Sequence, residues 1–246
     1  ITYSLDGGYL VSSLSPATDS SFVDIQKLQS DMHLLWNLSY GTNDSLMNNA
    51  IVTVSPQYRI LTACSVTAHD TGQGQNSDIL VISCDTAGGL LWAHRFDHGP
   101  VDQPRTLLPL QDGTTYMCSN TSAIATSSPI NILVSRLDDQ GMEMWSREWG
   151  GLGDDVASSM ILTSDDKLAV AGNSNSFSSG NNYFLTKLDS SGNFIWFSLF
   201  IVGTNDSCRS LLQTNDGGYL LIGTGGSTGQ DILLIKTDAN GQYQFA

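Results

Sequence analysis

The sequence predicts an all-β fold, a five-bladed β-propeller with four antiparallel strands in each blade. Three observations predict it. One motif recurs five times along the chain, a second motif keeps phase with it, and each copy contains short apolar runs separated by turn residues. Repeats of about 50 residues with four strands each match the size of a propeller blade.

The first motif is an Asp, then small or polar residues, then a strand that carries an aromatic. It reads DTAGGLLW, DDQGMEMW, DSSGNFIW and DANGQYQF, with a degenerate QSDMHLLW in the first copy. Because one aromatic recurs per copy within a strand, we expect these side chains to pack between neighbouring blades and not to stack on sugars. They are Trp36, Trp92, Trp145, Trp196 and Phe245, spaced 56, 53, 51 and 49 residues apart.

The second motif is an Asp-containing tight turn followed by an apolar strand. It reads LDGGYLV, LQDGTTYM, TSDDKLAV and TNDGGYLL, and Asp and Gly tolerate the backbone angles that such turns need. Alternation of apolar and polar residues completes the four strands of each copy. In the fourth copy we predict strands at Ala157–Thr163, Lys167–Gly172, Tyr183–Leu188 and Phe194–Phe200.

The repeat divides one domain, residues 1–246, into blades of about 1–42, 43–99, 100–151, 152–203 and 204–246. Ile1–Leu5 aligns with the first strand of a blade. A linear solenoid of the same repeats would need polar caps at both ends, and we see none. The chain begins at Ile1 without an initiator Met, which we interpret as the result of processing.

Composition excludes two classes of partner. Ten Lys and Arg against 24 Asp and Glu give a net charge of −14, which repels nucleic acid and anionic membrane surfaces. No apolar run approaches the roughly 18 residues needed to cross a bilayer, so we expect no membrane insertion.

Sequons and cysteines indicate the compartment. The low Lys content and four N-x-S/T sequons, at Asn37, Asn43, Asn120 and Asn205, predict an extracellular or cell-surface glycoprotein. Four cysteines are too few for a disulfide scaffold. Cys64 and Cys84 fall on adjacent predicted strands with the same parity, so they form either a disulfide or two buried thiols.

The best copies carry a family resemblance. Leu212–Gly223 with Leu234–Gly241, and Leu185–Trp196 after Gly150-Gly151-x-x-x-Asp155, resemble the β-propeller repeats of secreted and surface-anchored microbial proteins. The resemblance covers the whole chain, most weakly in blade two. It implies a propeller with an extracellular scaffold or adhesion role, and it supplies no catalytic residues.

Because the four strands of a blade are antiparallel, strand direction determines on which face of the blade each loop lies. Loops after strands two and four share one face, which carries an acidic residue at the entry to most blades. If the protein binds a small ligand, we expect it there. Such carboxylates could act as a glycosidase pair about 5–9.5 Å apart, or hold calcium. No D-x-D-x-D-G loop is present, and a turn role explains the recurrence, so we expect no metal and no cofactor. The candidates are Asp44, Asp102, Asp155 and Asp206.

Four basic residues recur at the end of the third strand, in three cases just before the turn Asp138, Asp189 or Asp238. We expect each to pair with the neighbouring turn carboxylate, as exposed ion pairs do. The four are Lys27, Arg136, Lys187 and Lys236.

The first hypothesis for function is a non-enzymatic extracellular module, structural or adhesive, that binds copies of itself in an oligomer or fibre, or other surface proteins. Exposed outer strands offer edges for such assembly. The second hypothesis is a lectin-like propeller that binds glycans. The third is a glycoside hydrolase or lyase that uses channel carboxylates.

Overall fold

The computed structural model describes residues 1–16, 21–42, 45–68, 76–122, 129–203, 206–226 and 231–246. The fold is a five-bladed β-propeller built from five sheets of four antiparallel strands. In every sheet the strands lie side by side in chain order. No helix long and apolar enough to span a membrane occurs in these residues.

The strands of the five blades have the following bounds. Blade one contains β1 (Thr2–Tyr3), β2 (Tyr9–Pro16), β3 (Ser21–Leu28) and β4 (Leu34–Thr42). Blade two contains β5 (Ser45–Val54), β6 (Ile60–Ala68), β7 (Ser77–Cys84) and β8 (Leu90–Phe96). Blade three contains β9 (Gln103–Pro109), β10 (Thr115–Ser122), β11 (Ile130–Leu137) and β12 (Glu143–Trp149). Blade four contains β13 (Asp155–Leu162), β14 (Leu168–Ser174), β15 (Asn182–Leu188) and β16 (Phe194–Phe200), and blade five contains β17 (Ser207–Gln213), β18 (Tyr219–Gly225), β19 (Asp231–Thr237) and β20 (Tyr243–Phe245).

The chain divides into two compact units, each with its own buried side chains. The first unit is residues 1–128 with 135–144, and the second is residues 129–134 with 145–246. Aliphatic side chains from blades two and three form one core of the first unit, around Ile79, Val81 and Met117. Tyr183 and Tyr219 belong to the core of the second unit, and both are fully buried.

The turn between the third and fourth strands is built the same way in blades two to five. The carboxylate of Asp138 accepts the amide hydrogens of Gln140 at 2.9 Å and of Met142 at 2.8 Å. The next residue in the turn, Gly141, has a φ of 79°, a conformation that costs least for glycine. This geometry explains why the sequence motif keeps both an Asp and a Gly.

The four motif tryptophans are half-buried, and each ring lies against that turn in the following blade. A Cβ added to Gly141 would lie 2.6 Å from the ring of Trp92, so the missing side chain makes room for the indole. Phe245, in contrast, is 53% exposed. The corresponding distances are 3.6 Å for Trp36 and Gly88, 2.9 Å for Trp145 and Gly192, and 2.5 Å for Trp196 and Gly241.

The recurring basic residues pair with a different carboxylate from the one we expected. Lys236 contacts Asp216 at 2.9 Å, in the turn between the first two strands, and not Asp238. The reason is that Asp238 already binds amide hydrogens of its own turn. In blade one the hydrogen bond from Lys27 lowers the pKa of Asp6 to about 2. The other pairs are Arg136 with Asp112 at 2.8 Å and Lys187 with Asp165 at 2.9 Å.

Candidate functional site

The acidic residues at the blade entries that the structure describes, Asp102, Asp155 and Asp206, each close a local turn. Asp102 is fully buried, and its Oδ2 accepts the amide hydrogens of His98 at 2.8 Å and Gly99 at 3.2 Å. A carboxylate that binds amides three and four residues earlier fixes the loop before the next strand. Asp44 lies outside the described residues.

Asp155 and Asp206 have the same role in the second unit. Oδ2 of Asp155 accepts hydrogen bonds from the Gly151 amide at 2.7 Å and from the Ser176 hydroxyl at 2.6 Å. Both carboxylate oxygens of Asp206 likewise accept backbone amides, from residues 203 and 226. The repeated Asp is therefore explained by turn structure, as the repeat itself suggested.

Asp102 differs from its counterparts because two further carboxylates lie beside it. One oxygen from each of Asp78, Asp97 and Asp102 lies within 4.8 Å of the others, and we call these three residues the acidic cluster. Asp78 is 4% exposed, and its Oδ2 accepts a hydrogen bond from Nε of Arg95. The third strands of blades three and four have Asn at the position of Asp78, six residues before the strand ends.

Two pKa shifts follow from the surroundings of the acidic cluster. Burial raises the pKa of Asp102, because the nearby Thr121 hydroxyl and the amides of His98 and Gly99 offset only part of the lost hydration. The hydrogen bond to Glu143, 2.7 Å from His98 Nε2, raises the pKa of His98. The imidazole of His98 also stacks on Phe96, with ring centroids 6.2 Å apart.

The second unit carries a row of aromatic rings at the outer strand of blade four. Trp149, Phe177, Phe194 and Phe197 form what we call the aromatic surface, and the buried Phe184 connects them. Ring centroids are 5.3 Å apart for Trp149 and Phe194, and 5.3 Å apart for Phe177 and Phe197. Phe184 lies 5.8 Å from Trp149 and 5.9 Å from Phe197. The exposed fractions are 56% for Phe177, 54% for Phe194 and 38% for Phe197, so the rings face solvent together.

Two exposed carboxylates, Glu148 and Asp154, belong to segments next to Trp149 in sequence, and adjacent residues at the start of β11 bind them. Asn131 Nδ2 donates to Oε1 of Glu148 at 2.8 Å, and the Ile130 amide donates to Oδ1 of Asp154 at 2.9 Å. The Asp154 amide donates to Oδ1 of Asn175 at 2.6 Å, two residues before Phe177. These contacts fix both carboxylates relative to the loop that carries an exposed aromatic ring.

Sequence reasoning missed the acidic cluster and these carboxylates. Asp78 and Asp97 follow no repeated motif, and Phe177 lies in a loop that otherwise contains Asn, Ser and Gly. The usable signal was Asp at position 78, where blades three and four have Asn. Glu148, just before the second tryptophan of β12, gave no signal of its own.

The proposed disulfide is not formed. Cys64 and Cys84 are free and buried, and register places Cys64 opposite Leu80 and Cys84 opposite Ile60. Along β6, Cys64 is therefore four residues away from Ile60, the residue opposite Cys84, so the two cysteines are not cross-strand neighbours. Burial raises the pKa of Cys64 to about 12 and that of Cys84 to about 11, so both are inert thiols in the folded chain.

The sequons have different surroundings. Asn37 is exposed on an outer strand, where its Nδ2 donates to the Ser39 hydroxyl at 3.2 Å. Asn120 is 2% exposed within β10, so it is not an acceptor in the folded chain. Asn43 and Asn205 lie outside the described residues.

Comparison with known proteins identifies the fold and no family. No protein-family model matches the chain, and no curated protein matches it significantly. An α-L-arabinofuranosidase from Fusarium graminearum superposes with a TM-score of 0.59 at 10% identity, covering 92% of this chain and 71% of that enzyme. An α-L-arabinanase from Penicillium chrysogenum gives 0.56 at 10% identity, covering 95% and 72%.

An apocarotenoid oxygenase from Synechocystis superposes with a TM-score of 0.58 at 12% identity, over 94% of this chain. The chain spans only 55% of the length of that oxygenase. At such low identities the likeness shows a shared β-propeller fold.

These comparisons contradict the first functional hypothesis. The three structures named above are enzymes, an α-L-arabinofuranosidase, an α-L-arabinanase and an apocarotenoid oxygenase, so the predictions of a structural or adhesive module and of no enzyme activity are corrected. The physical reason for the error is that repeated Trp and Asp residues report on blade packing and turns. They carry no information about the side chains that project from loops and outer strands.

Proposed function

We propose that the chain hydrolyses glycosidic bonds in a polysaccharide, which it binds on the aromatic surface of the second unit. The observation that carries this proposal is a row of exposed rings together with two anchored carboxylates. Glu148 precedes Trp149 in sequence, and Asp154 binds Asn175, two residues before Phe177. Apolar faces of sugar rings pack on aromatic rings, while carboxylates supply the acid and base that glycosidic cleavage needs.

The chemistry requires one carboxylic acid and one carboxylate on opposite sides of the scissile bond. The acid protonates the leaving oxygen, and the carboxylate activates water or attacks the sugar directly. Ile130 and Asn131 are adjacent in sequence, and they bind Asp154 and Glu148 respectively. This arrangement is compatible with the spacing of about 5–9.5 Å between such groups. Asp155, whose Oδ2 binds the Gly151 amide and the Ser176 hydroxyl, holds the loop beside Asp154 and acts as a positioning residue.

The substrate class follows from the enzymes that share the fold. Arabinofuranosides are the first glycans to test, because an arabinofuranosidase and an arabinanase are among those enzymes. A polysaccharide substrate is also consistent with the extracellular location that the sequons and composition predict.

The test is release of reducing sugar from arabinan, arabinoxylan and a panel of other polysaccharides by the purified chain. We expect Glu148→Gln and Asp154→Asn each to lower kcat at least about 100-fold, because general acid–base catalysis contributes about 10²–10⁴-fold. Phe177→Ala should raise KM with a smaller change in kcat, since it removes binding area and no reacting group.

Asp166→Asn is the matched control. Asp166 is an exposed carboxylate of the same unit, in a turn where its φ of 57° suits Asn equally well. Activity of the double variant Glu148→Gln/Asp154→Asn equal to that of the wild type would refute the proposal. So would the absence of cleavage of every polysaccharide in the panel.

A further inference from the structure

The acidic cluster of the first unit concentrates negative charge where little water reaches it. Asp78 and Asp102 are 4% and 0% exposed, and Asp97 is exposed beside them. One oxygen of each carboxylate lies within 4.8 Å of the other two. Carboxylates this close repel one another unless a positive charge lies between them.

In each of the two buried carboxylates, protein groups bind only one of the two oxygens. Arg95 binds Oδ2 of Asp78, and the amides of His98 and Gly99 bind Oδ2 of Asp102. The Oδ1 atoms of Asp78 and Asp102 are buried and accept no hydrogen bond from the described residues. Other buried polar atoms of the described residues also have no partner, including Oδ1 of Asn182 at the position equivalent to Asp78, but at the acidic cluster they belong to two neighbouring carboxylates. A buried pair of charged oxygens is the costliest of these to leave without a binding group.

A neutral oxygen beside the Asp102 carboxyl provides an independent observation. Thr121 is 1% exposed and lies beside that carboxyl, yet its hydroxyl makes no hydrogen bond of good geometry with the described residues. Thr121 is not acidic, so charge alone does not explain why its hydroxyl is left unsatisfied.

Backbone hydrogen bonds hold these oxygens in place. The Asp102 amide donates to the carbonyl oxygen of Ser77 at 2.7 Å, and the Ser77 amide donates to that of Pro100 at 2.9 Å. The Ser65 hydroxyl adds a bond of 3.0 Å to the Asp102 carbonyl oxygen. The strand that carries Asp78 and the loop that carries Asp97 and Asp102 are therefore joined before any ligand binds.

We propose that the acidic cluster, together with Thr121, binds one hard divalent cation of the calcium class. The donors are carboxylate and hydroxyl oxygens, which suit such cations, and Ca²⁺ takes six to eight oxygen ligands including water. Nitrogen and sulfur donors would select zinc or copper instead. The imidazole of His98, next to Asp97 in sequence, binds Glu143 through Nε2 at 2.7 Å, while its Nδ1 is buried without a partner among the described residues. Zn²⁺ is therefore the competing ion that the titration must include.

In blades four and five, protein groups bind the carboxylate at the equivalent turn. Asp155 and Asp206 occupy the position of Asp102, and backbone amides or a hydroxyl satisfy them. At the position of Asp78, blade four has the neutral amide of Asn182, and blade five has Asp231, which is exposed to water. A pair of buried carboxylates with unsatisfied oxygens therefore occurs, among the residues described, at the acidic cluster alone.

The test is calorimetric titration of the EDTA-treated, desalted chain with CaCl₂, with the thermal unfolding midpoint as a second readout. We expect one equivalent of Ca²⁺ to bind and the midpoint to rise by several degrees. Asp78→Asn and Asp97→Asn should each weaken binding at least tenfold. Asp97 is exposed, so its variant keeps the proposal testable if a buried substitution prevents folding.

Asp206→Asn is the matched control, since it alters the equivalent buried turn residue without touching the acidic cluster, and its affinity for Ca²⁺ should stay unchanged. No binding at millimolar Ca²⁺, or equal affinity in the wild type, Asp78→Asn and Asp97→Asn, would overturn the proposal. Zn²⁺ binding more tightly than Ca²⁺ to the same residues would also overturn it. The glycosidic activity depends on other residues, so the two proposals fail separately.

Discussion

The contact between tryptophan and glycine makes a sharp prediction for the stability of the first unit. A Cβ at Gly141 would lie 2.6–2.7 Å from three ring carbons of Trp92, and the residue has a φ of 79°. A left-handed backbone costs an L-residue about 1–2 kcal/mol. Overpacking a well-packed contact costs about 1–3 kcal/mol more. We therefore expect Gly141→Ala to lower the free energy of unfolding by about 2–5 kcal/mol.

Gly7 is a control because its backbone is also left-handed, but no side chain packs against the position that a Cβ would occupy. Its φ is 86°, and a Cβ there would meet no atom within 4 Å. Gly7→Ala should therefore cost only the backbone share, about 1–2 kcal/mol. Urea unfolding of both variants, read by tryptophan fluorescence and far-ultraviolet circular dichroism, measures the difference.

The double variant Trp92→Ala/Gly141→Ala separates the ring contact from backbone strain. Removing the indole should make Gly141→Ala about 1–3 kcal/mol less destabilising than it is beside the ring, because residues in contact are not additive. Equal destabilisation by Gly141→Ala and Gly7→Ala, or full additivity with Trp92→Ala, would refute the reasoning that glycine makes room for the ring.

The remaining predictions concern charge, thiols and glycans. Because Lys27 lowers the pKa of Asp6 to about 2 from 3.8, their pairing stabilises the fold above about pH 4, and that stability is lost as pH falls toward 2. We expect Asp6→Asn to reduce the fall of the urea unfolding midpoint between pH 6 and pH 2. The same fall in the variant and in the wild type would contradict this prediction. Cys64 and Cys84 should react with a thiol reagent only after unfolding, and a mass shift of two hydrogens on reduction would disprove free thiols. Peptide mapping after secretion from eukaryotic cells should find Asn120 unglycosylated, and a glycan there would mean that β10 is not buried.

The fold could be predicted because two motifs recur at a regular interval of about 50 residues along the chain. Two motifs in phase, each with a turn Asp and a strand aromatic, determine where strands begin and end. The predicted Phe194–Phe200 coincides with β16, and the predicted Ala157–Thr163 differs from β13 by two residues at its start and one at its end. A turn Asp is a local signal, because its carboxylate binds amides only two and four residues away.

The sites could not be predicted because they depend on contacts between distant segments. Asp78 and Asp97 are separated by a strand and a turn, and only the sheet register places their carboxylates together. The sequence predicts Asn120 only as a glycan acceptor, from its N-x-S/T sequon. The structure buries every residue of β10, since small polar side chains fit in a strand that is covered on both faces.

The pairing of tryptophan with glycine also bears on how such a chain is assembled from copies. Each of blades two, three and four supplies a tryptophan to its successor and a glycine to its predecessor, so one copy carries half of two different interfaces. A duplicated or exchanged copy would bring both halves with it and fit between existing neighbours. The first blade departs from this rule, because Met32 stands at the corresponding turn position with a φ of 70°. Selection can therefore change loops and edges freely while the two positions that join neighbours are kept.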